Sequence, residues 1–401
     1  MAGSAVLVHW LVVRFCYFLG FLFFLSPLHG HTTLVLPFSN ESNDANLDWI
    51  GESISVAVRE ALASKELIVV GRDDRLEAFR RHSIRPDAVL TQASIIKIGA
   101  TLDASQVIFG SFTVRPSSAE RSRGTLKIAA QVLDLRRMAK GPELEAMGPL
   151  DDLAVVQTTL AWRALQTLAP KTAPSEREFL AARPPVRVDA IENYIRGLLA
   201  PSMEQKHRFF TTAARLEERF AQPRFQLGAI YWAKQEYRIA ADWFEGVTPE
   251  HPRYREAQFL LGLSRFYLGD YNAAEKHFQL VANSVPLNEV FNNLGAAQLR
   301  LGVPQAVENF RKALEGDDAD PDYHFNLGYA FWKAGQYEEA TASFRAALDR
   351  EEDDVEAIEF LGRSLKQQGQ RKGDLNTEGR ERLKHDYQEQ AYRQLQAELG
   401  R

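Results

Sequence analysis

Hydrophobic and polar positions change their spacing near residue 170, and this change divides the chain into two regions. In the first region short apolar runs are separated by polar segments, which is typical of strands that alternate with helices. The runs that predict strands are TTLVLPF at 32–38, LIVV at 67–70, QVIFGSFTV at 106–114 and LKIAAQVLDL at 126–135. Helices are predicted at 47–62, 74–82, 91–102 and 153–168. Residues 31–169 are therefore predicted to form a small α/β domain.

The second region repeats itself with a period near 34 residues. A Leu-Gly pair recurs so that successive glycines are 34, 33, 33 and 34 residues apart. These glycines are Gly228, Gly262, Gly295, Gly328 and Gly362. In the second half of four units an alanine precedes a phenylalanine by four residues; the alanines are Ala240, Ala274, Ala306 and Ala340. This period indicates a solenoid of paired helices, with small residues where two helices touch.

The boundaries of the repeat array follow from changes in this pattern. Residues 170–189 contain four prolines, which predict an extended connector with room for two helical turns at 176–182. The array is predicted at 190–376, with a degenerate first repeat and then about five units. The charged segment REEDD at 350–354 is predicted to be a solvated turn between units. Residues 377–401 predict a charged capping helix with an apolar stripe.

The first thirty residues have a composition unlike the rest of the chain. The run FCYFLGFLFFL at 15–25 is uncharged, follows Arg14 and precedes Pro27 and Gly30. An apolar core of about eleven residues is shorter than the roughly twenty that span a bilayer, so residues 1–30 predict a cleaved secretory signal. Such a signal predicts export of the chain to the periplasm or cell envelope. An uncleaved inner-membrane anchor remains the alternative, because residues 6–25 approach spanning length.

Composition and motifs argue against several functional classes. A net charge of −5 disfavours nucleic-acid binding, and the single cysteine, Cys16, excludes an intrachain disulfide and a CxxC zinc site. The sequence contains no HExxH, GxSxG, GxGxxG or P-loop motif, and none of its nine histidines are paired at the i, i+4 spacing. No catalytic residue, metal site or cofactor is predicted. A hydrolase built on paired carboxylates stays open, because spacing alone cannot test it.

Both regions resemble known families. The segments VLPFSNES, IGESISVAVREAL, LDASQVIFGSF and LKIAAQVLDLRR resemble the TolB amino-terminal-like domain over about residues 32–169. This resemblance implies an α/β association domain without catalytic residues. The segments YLGDYNAAEKHF and KAGQYEEATASF, with the glycine register, resemble the tetratricopeptide repeat. The two together imply a multidomain chain, a small α/β domain followed by an all-α superhelical solenoid.

The second resemblance also implies a binding groove, since the first helix of each tetratricopeptide unit lines a concave face. The positions that would face it are Phe225, Trp232, Phe259, Leu263, Phe266, Asn292, Arg300, Phe325, Tyr329, Lys333, Arg363 and Lys366. In chain order these positions are mainly aromatic at the start of the array and basic toward its end. This order favours, as ligand, an extended peptide or amphipathic helix with apolar anchors and an acidic end. The same rings could instead fill contacts between repeats, and both interpretations stay open.

These inferences lead to one functional prediction and one alternative. The chain is predicted to be a non-catalytic scaffold or adaptor of the cell envelope that binds a protein or peptide partner in the groove. It is predicted to bind no nucleic acid, with membrane association possible only through the N-terminal segment. The alternative is a sensory or regulatory component of a signal-transduction system without its own output domain, because TolB-like domains also occur beside such repeats in signalling proteins.

Overall fold

The computed structural model describes residues 32–42, 44–63, 67–85, 88–116, 123–370 and 376–399. The predicted export segment, residues 1–30, lies outside these ranges. Within them, no helix combines the length and apolar character that a membrane span requires.

A mixed sheet forms the centre of the first region. Its strands are β1 (Thr32–Val35), β2 (Ser39–Asn40), β3 (Ile68–Val69), β4 (Gln106–Arg115), β5 (Thr125–Asp134) and β6 (Ala139–Pro149). The order is β3–β1–β4–β5–β6, with β2 also paired to β4. The β1, β2 and β3 pairings are parallel, whereas β4, β5 and β6 form an antiparallel meander. The prediction missed β6, because this edge strand buries only Leu144 and Ala146 and is otherwise polar or small.

Four helices flank this sheet: α1 (Trp49–Ala63), α2 (Arg72–Arg81), α3 (Gln92–Thr101) and α4 (Leu153–Leu168). The apolar stripe predicted for this helix begins at Leu47. Leu47 precedes α1 and is half-buried, whereas Ile50, Ile54, Val58 and Leu62 are fully buried. Because α1 also buries polar residues such as Glu52, it is covered on more than one side. The first region thus has the predicted small α/β architecture.

After α4, all regular elements in the described ranges are helices. They are α5 (Glu176–Ala181), α6 (Val188–Leu199), α7 (Met203–Leu216), α8 (Ala221–Ala233), α9 (Tyr237–Glu245), α10 (Tyr254–Tyr267), α11 (Tyr271–Ala282), α12 (Asn288–Leu301), α13 (Ala306–Gly316), α14 (Pro321–Lys333), α15 (Tyr337–Leu348), α16 (Val355–Leu365) and α17 (Glu389–Glu398). From α6 to α15 they pair as five helical hairpins. Consecutive hairpins pack on one another, which is the architecture of the predicted solenoid.

The repeat glycines lie where the two helices of a hairpin are closest. A Cβ atom on Gly262 would lie 2.8 Å from the Phe278 ring, and Gly228, Gly295 and Gly328 face the equivalent ring of their own repeats. The alanines that precede these rings by four residues are at most 2% exposed. Gly362 differs, because a Cβ there would meet no atom within 4 Å. Its helix, α16, has no second helix in the described part of the chain.

The segment between the two regions is partly folded. Residues 170–189 are predicted to be an extended connector with room for two helical turns at 176–182. Helix α5 lies at that position. Ser175 caps α5 through a capping box, and Phe179 is buried. The apolar core of the α/β domain continues into the first hairpin, where Ile191 and Tyr194 of α6 join it. The first repeat therefore packs directly on the α/β domain.

The C-terminal part of the chain departs from the prediction. A capping helix was expected over 377–401, but residues 379–388 form neither helix nor strand, and α17 begins only at Glu389. Leu383 and Tyr387 have the four-residue spacing of the apolar stripe that the sequence predicts for such a helix. In the structure they pack instead against the core of the repeats. Contacts with the repeats have therefore overridden the local helical pattern.

Acid should destabilise the protein through His251, in the loop between α9 and α10. Its ring is buried, stacks on Phe225, and accepts a hydrogen bond at Nδ1 from the Arg253 backbone N–H at 3.0 Å. Burial, with the charges of Arg253 and Arg59, lowers the pKa of His251 to about 3. The unfolded chain takes up this proton near its ordinary pKa of about 6.5, so stability falls as the pH drops from about 6.5 toward 3.

The loss attributable to His251 should be about 2 kcal/mol between pH 7 and pH 5. Urea unfolding of the parent and of His251→Gln at both pH values measures it. The variant should lose less stability than the parent over this interval. Equal losses in the two proteins would show that another group carries the acid sensitivity.

Candidate functional site

The first helices of several repeats present their side chains to one extended segment from the end of the chain. We call residues 379–388 the docked segment. It runs against the order of the repeats: Arg382 lies at α14, Lys384 at α12 and Tyr387 at α10. The face lined by the first helices is thus a groove that holds a peptide, and the peptide belongs to the same chain.

Asparagine side chains hold the backbone of the docked segment. Asn326 Nδ2 donates to the Arg382 carbonyl at 2.7 Å, while the Arg382 N–H donates to Asn326 Oδ1 at 2.8 Å. Asn293 makes the same pair of bonds with Lys384, at 2.7 and 2.8 Å. Asn292 Nδ2 donates a further bond to the Arg382 carbonyl. Because residues two apart in an extended chain face the same side, this spacing suits extended backbone.

The Arg382 side chain occupies an acidic and aromatic pocket. Its guanidinium carbon lies 3.7 Å from the centroid of the Phe325 ring, in cation–π geometry. Two nitrogens donate to both oxygens of Asp354, at 2.7 and 2.8 Å, and a third contact reaches Asp322 at 3.2 Å. Burial disfavours the charged form of Asp354, but bonds and charge from Arg382 outweigh it and hold the pKa of Asp354 below its usual value.

Lys384 binds a second pair of carboxylates. Its Nζ lies 2.7 Å from Asp320 Oδ2 and 2.6 Å from Asp322 Oδ2. Burial opposes its charge, yet the two carboxylates raise the pKa of Lys384 above its usual value. Asp320 is also the N-cap of α14, and Asp354 is the N-cap of α16. The starts of two first helices therefore form an acidic surface that two basic side chains fill.

A carboxylate precedes these cations in the docked segment. The Glu381 side chain is fully buried, and Arg300 Nε lies 2.7 Å from its Oε2. Burial raises the pKa of Glu381 above its usual value in spite of the neighbouring positive charge. Arg300 itself lies over the rings of Phe266 and Tyr271. The predicted basic position of the groove is thus already neutralised within the chain.

Aromatic rings receive the last part of the docked segment. The Tyr387 ring lies 5.3 Å from the Phe259 ring, centroid to centroid. His385 Nε2 and the Tyr267 hydroxyl share a hydrogen bond of 2.6 Å, and Trp232 contacts the same imidazole edge to face. Just beyond, Arg255 forms a bidentate ion pair with Glu389 at the start of α17. Apolar anchors alternate with charged contacts along the groove.

Several predicted groove residues contact the C-terminal segment: Trp232, Phe259, Asn292, Arg300, Phe325 and Tyr329. Tyr329 does so through its hydroxyl, which donates to the Thr377 carbonyl at 2.7 Å. Phe266 and Lys333 lie next to these contacts. Arg300 lies over the Phe266 ring, and the Lys333 ammonium lies over the Tyr329 ring. These predicted positions thus lie against the C-terminal segment of the same chain, and partner binding at them stays a prediction.

The structure places the remaining predicted residues elsewhere. Phe225 and Leu263 are buried in the core of the repeats, as the alternative interpretation of these positions allowed. Arg363 pairs with Glu359 one turn earlier on α16, and Lys366 is exposed beyond the end of that helix. Of the predicted basic positions, Arg363 and Lys366 thus have no contact with the docked segment in the described ranges, whereas Arg300 does.

Sequence reasoning missed the most polar part of the site. Asn293 and Asn326 each precede a repeat glycine by two residues, so the register itself contained this signal. Asp320 caps α14 and Asp322 lies in its first turn. Acidic residues at such positions usually stabilise the helix by interacting with its dipole. The REEDD segment is exposed at its three middle residues as predicted, but Asp354 is only 8% exposed. Its partner Arg382 lies 28 residues away and gives no local signal.

No group of three or more His, Cys, Asp or Glu side chains suited to a metal ion occurs in the described ranges. The acidic surface of the groove is instead occupied by Arg382 and Lys384.

Comparisons with known proteins agree with the repeat architecture. The sequence model of the tetratricopeptide repeat family matches residues 225–289, 300–355 and 327–370. No curated protein sequence matches the chain. The family match does not extend to residues 32–169, whose resemblance to the TolB amino-terminal-like domain stays a prediction.

Two solved structures are similar to part of this chain. One is YrrB, described as "a TPR protein with an unusual peptide-binding site", with 22% identity over 43% of this chain and 91% of YrrB, and a TM-score of 0.40. Another is MamA from Desulfovibrio magneticus RS-1, with 22% identity over 40% of this chain and 92% of that one, and a TM-score of 0.36. The family match and the helical hairpins show that residues 225–289 and 300–370 of the chain are tetratricopeptide repeats, which in general act as protein-interaction scaffolds.

Proposed function

We propose that the chain is a non-catalytic scaffold that binds an extended segment of a partner protein in the groove of its repeats. One observation carries the proposal: the docked segment lies in the groove as a peptide, held through its backbone by Asn293 and Asn326. Tetratricopeptide repeats are in general protein-binding and non-catalytic, and their concave surfaces are the usual binding sites.

The two kinds of contact in the groove have different roles. The asparagine pairs bind main-chain N–H and carbonyl groups, which every residue except proline offers, so they contribute affinity without selecting a sequence. The acidic pocket at Asp322 and Asp354 and the aromatic sites at Phe259 and Phe325 contact side chains. These pockets supply the selectivity, because an unmatched partner would leave their carboxylates buried without a cation.

We also propose that the protein works in the cell envelope after export. The support is the sequence of residues 1–30, with its uncharged run at 15–25. The mature chain should start between Leu28 and Thr32. Intact-protein mass spectrometry of envelope fractions tests this start, and a full-length mass would replace the cleaved signal by the membrane anchor.

Site-specific photocrosslinking tests the groove as the binding surface. Tyr267 is 41% exposed and lies beside the docked segment, so a benzophenone amino acid at this position replaces one aromatic ring by another. Ile239 on the second helix α9 is the matched control, because it is 39% exposed on the other layer of the solenoid. In envelope extract, irradiation should attach a partner at position 267 and not at position 239.

Mass spectrometry then identifies the attached peptide. A crosslink to the docked segment of the same chain adds no mass to the protein and is therefore distinguished from a crosslink to a partner. The attached partner segment should lose its crosslink when Asn293 and Asn326 are both replaced by leucine. A partner captured equally from positions 267 and 239 would place the binding surface outside the groove.

A further inference from the structure

We propose that the docked segment is an internal ligand that a partner displaces. The partner segment presents, in extended conformation, a carboxylate, an arginine, any residue and a lysine, followed by an aromatic residue three positions later. This order is that of Glu381, Arg382, Lys384 and Tyr387. The inference rests on the proposed function and names the chemistry of the partner.

The docked segment has the contacts of a bound peptide. Its residues 379–388 form no secondary structure, and the backbone bonds at Arg382, Lys384 and Gln388 are made with side chains of the first helices. Glu289 accepts the last of these bonds, from the Gln388 N–H at 2.8 Å. Every one of these bonds would form equally with a segment from another protein, because none depends on covalent connection.

The charges of the groove set what can replace the docked segment. Asp320, Asp322 and Asp354 share two cations, and Glu356 lies 3.4 Å from the same Arg382. Without these cations, like charges would be left facing one another, which is unfavourable in a partly buried site. A displacing segment must therefore bring its own arginine and lysine two residues apart.

The far end of the docked segment is only lightly attached. The helix that follows it, α17, contains no buried residue among those described, and Leu395 is 54% exposed. The Glu389–Arg255 ion pair and a 3.4 Å bond from Gln390 to Asp74 of the α/β domain fasten its start. Because α17 buries none of its described side chains, separation of the docked segment can begin at this end.

Covalent connection makes the docked segment a strong competitor. A tethered ligand acts at an effective concentration of the order of 1 mM, so a free peptide of the same sequence binds only the small fraction of open grooves. Weakening the docked segment without altering the groove should therefore increase the affinity for a free peptide by about tenfold or more.

Fluorescence anisotropy with a labelled synthetic peptide of residues 376–392 tests this competition in the full chain. The opened variant combines Arg382→Ala and Lys384→Ala, which removes both cations from the docked segment and leaves the groove intact. The control combines Lys276→Ala and Arg345→Ala, two exposed cations on second helices, and has the same net charge. We expect the opened variant to bind the peptide at least about tenfold more tightly than the parent and the control do. A labelled peptide with the same two alanines should bind none of the three proteins measurably.

Equal peptide affinity for the parent and the opened variant would overturn the inference and leave peptide binding by the groove intact. A peptide that binds neither protein would overturn the proposed function as well. If the parent is a dimer by light scattering and the opened variant a monomer, the ligand of the groove is the docked segment of a second copy, and the partner proposed here is wrong.

Hydrogen exchange provides the test if the opened variant is too unstable to measure. In the parent chain, excess unlabelled peptide should remove protection from the amides of Arg382 and Lys384, while the amides of α12 and α14 stay protected. Unchanged protection of both tail amides at saturating peptide would show that the docked segment is a fixed part of the fold.

Discussion

Leucine in place of Gly262 should lower the free energy of unfolding by about 3 kcal/mol, the upper end of the usual cost of overpacking a core. The Cβ alone would approach three atoms of the Phe278 ring at 2.8–3.1 Å, and Phe278 is itself fully buried. Neither the ring nor the helix behind it can move without opening the hairpin of α10 and α11. Urea unfolding followed by circular dichroism measures the loss.

Gly362 provides the matched control for this substitution. It occupies the same repeat position, yet a Cβ there meets no atom within 4 Å. Gly362→Leu should therefore keep the stability of the parent or increase it by about 0.5–1 kcal/mol, because leucine favours a helix more than glycine does. If Gly262→Leu unfolds at the same urea concentration as the parent, the helix contact derived from the repeat period is wrong.

The sequence predicted the solenoid well because each hairpin is built from local contacts. Gly262 meets Phe278 only sixteen residues later, and the same pair of residue types recurs in each regular unit that has both helices. The strands β4 and β5 were likewise evident, since both are long and rich in β-branched residues. The prediction failed at β6, where an edge strand needs only two buried side chains and therefore shows little hydrophobic pattern.

The docked segment could not be predicted from its own residues. Leu383 and Tyr387 are four residues apart, a spacing that fits one face of a helix. In the structure the segment is extended, and both side chains still pack against the repeats. The contacts that decide between the two are Arg382 with Asp354 and Lys384 with Asp320, between residues distant in sequence. The predicted partner changes accordingly. Arg300 suggested an acidic ligand, and Glu381 of the docked segment meets that requirement. Asp322 and Asp354 add a requirement for basic side chains, which Arg382 and Lys384 meet.

Replacing Arg75 by methionine should destabilise the protein by about 3–5 kcal/mol at neutral pH, the usual cost of removing one partner of a buried ion pair. Arg75 is 2% exposed and donates to both oxygens of Glu52, at 2.6 and 2.7 Å, and to Ser55 Oγ at 2.6 Å. Burial of Glu52 opposes its charge, but Arg75 and Arg72 together hold the pKa of Glu52 below its usual value. Without Arg75, only Arg72 would offset the burial of this carboxylate.

The sign of the pH dependence distinguishes this explanation from a simple packing defect. A carboxyl whose pKa is lowered by folding stabilises the folded chain above its unfolded pKa, and that stability is lost on acidification. Arg75→Met should therefore lose most at neutral pH and differ less from the parent near pH 4. The double variant Glu52→Gln with Arg75→Met should recover part of the loss, since it removes the buried carboxylate and leaves only the partly exposed Arg72 without its ion-pair partner.

The destabilisation by Arg75→Met should extend to the junction between the α/β domain and the first repeat. Arg72 bonds Glu52 at 2.7 Å and also donates to the Leu198 carbonyl at the end of α6, at 3.1 Å. When Arg75 is absent, Glu52 keeps Arg72 as its ion-pair partner, so we expect Arg72 to move further toward Glu52 and its bond to the first repeat to weaken. Hydrogen exchange should then show faster exchange in both α1 and α6, while α12 and α14 around the docked segment keep the parent rates. If Arg75→Met and the double variant unfold at the same urea concentration at pH 7, the charge of Glu52 does not determine the stability of this junction.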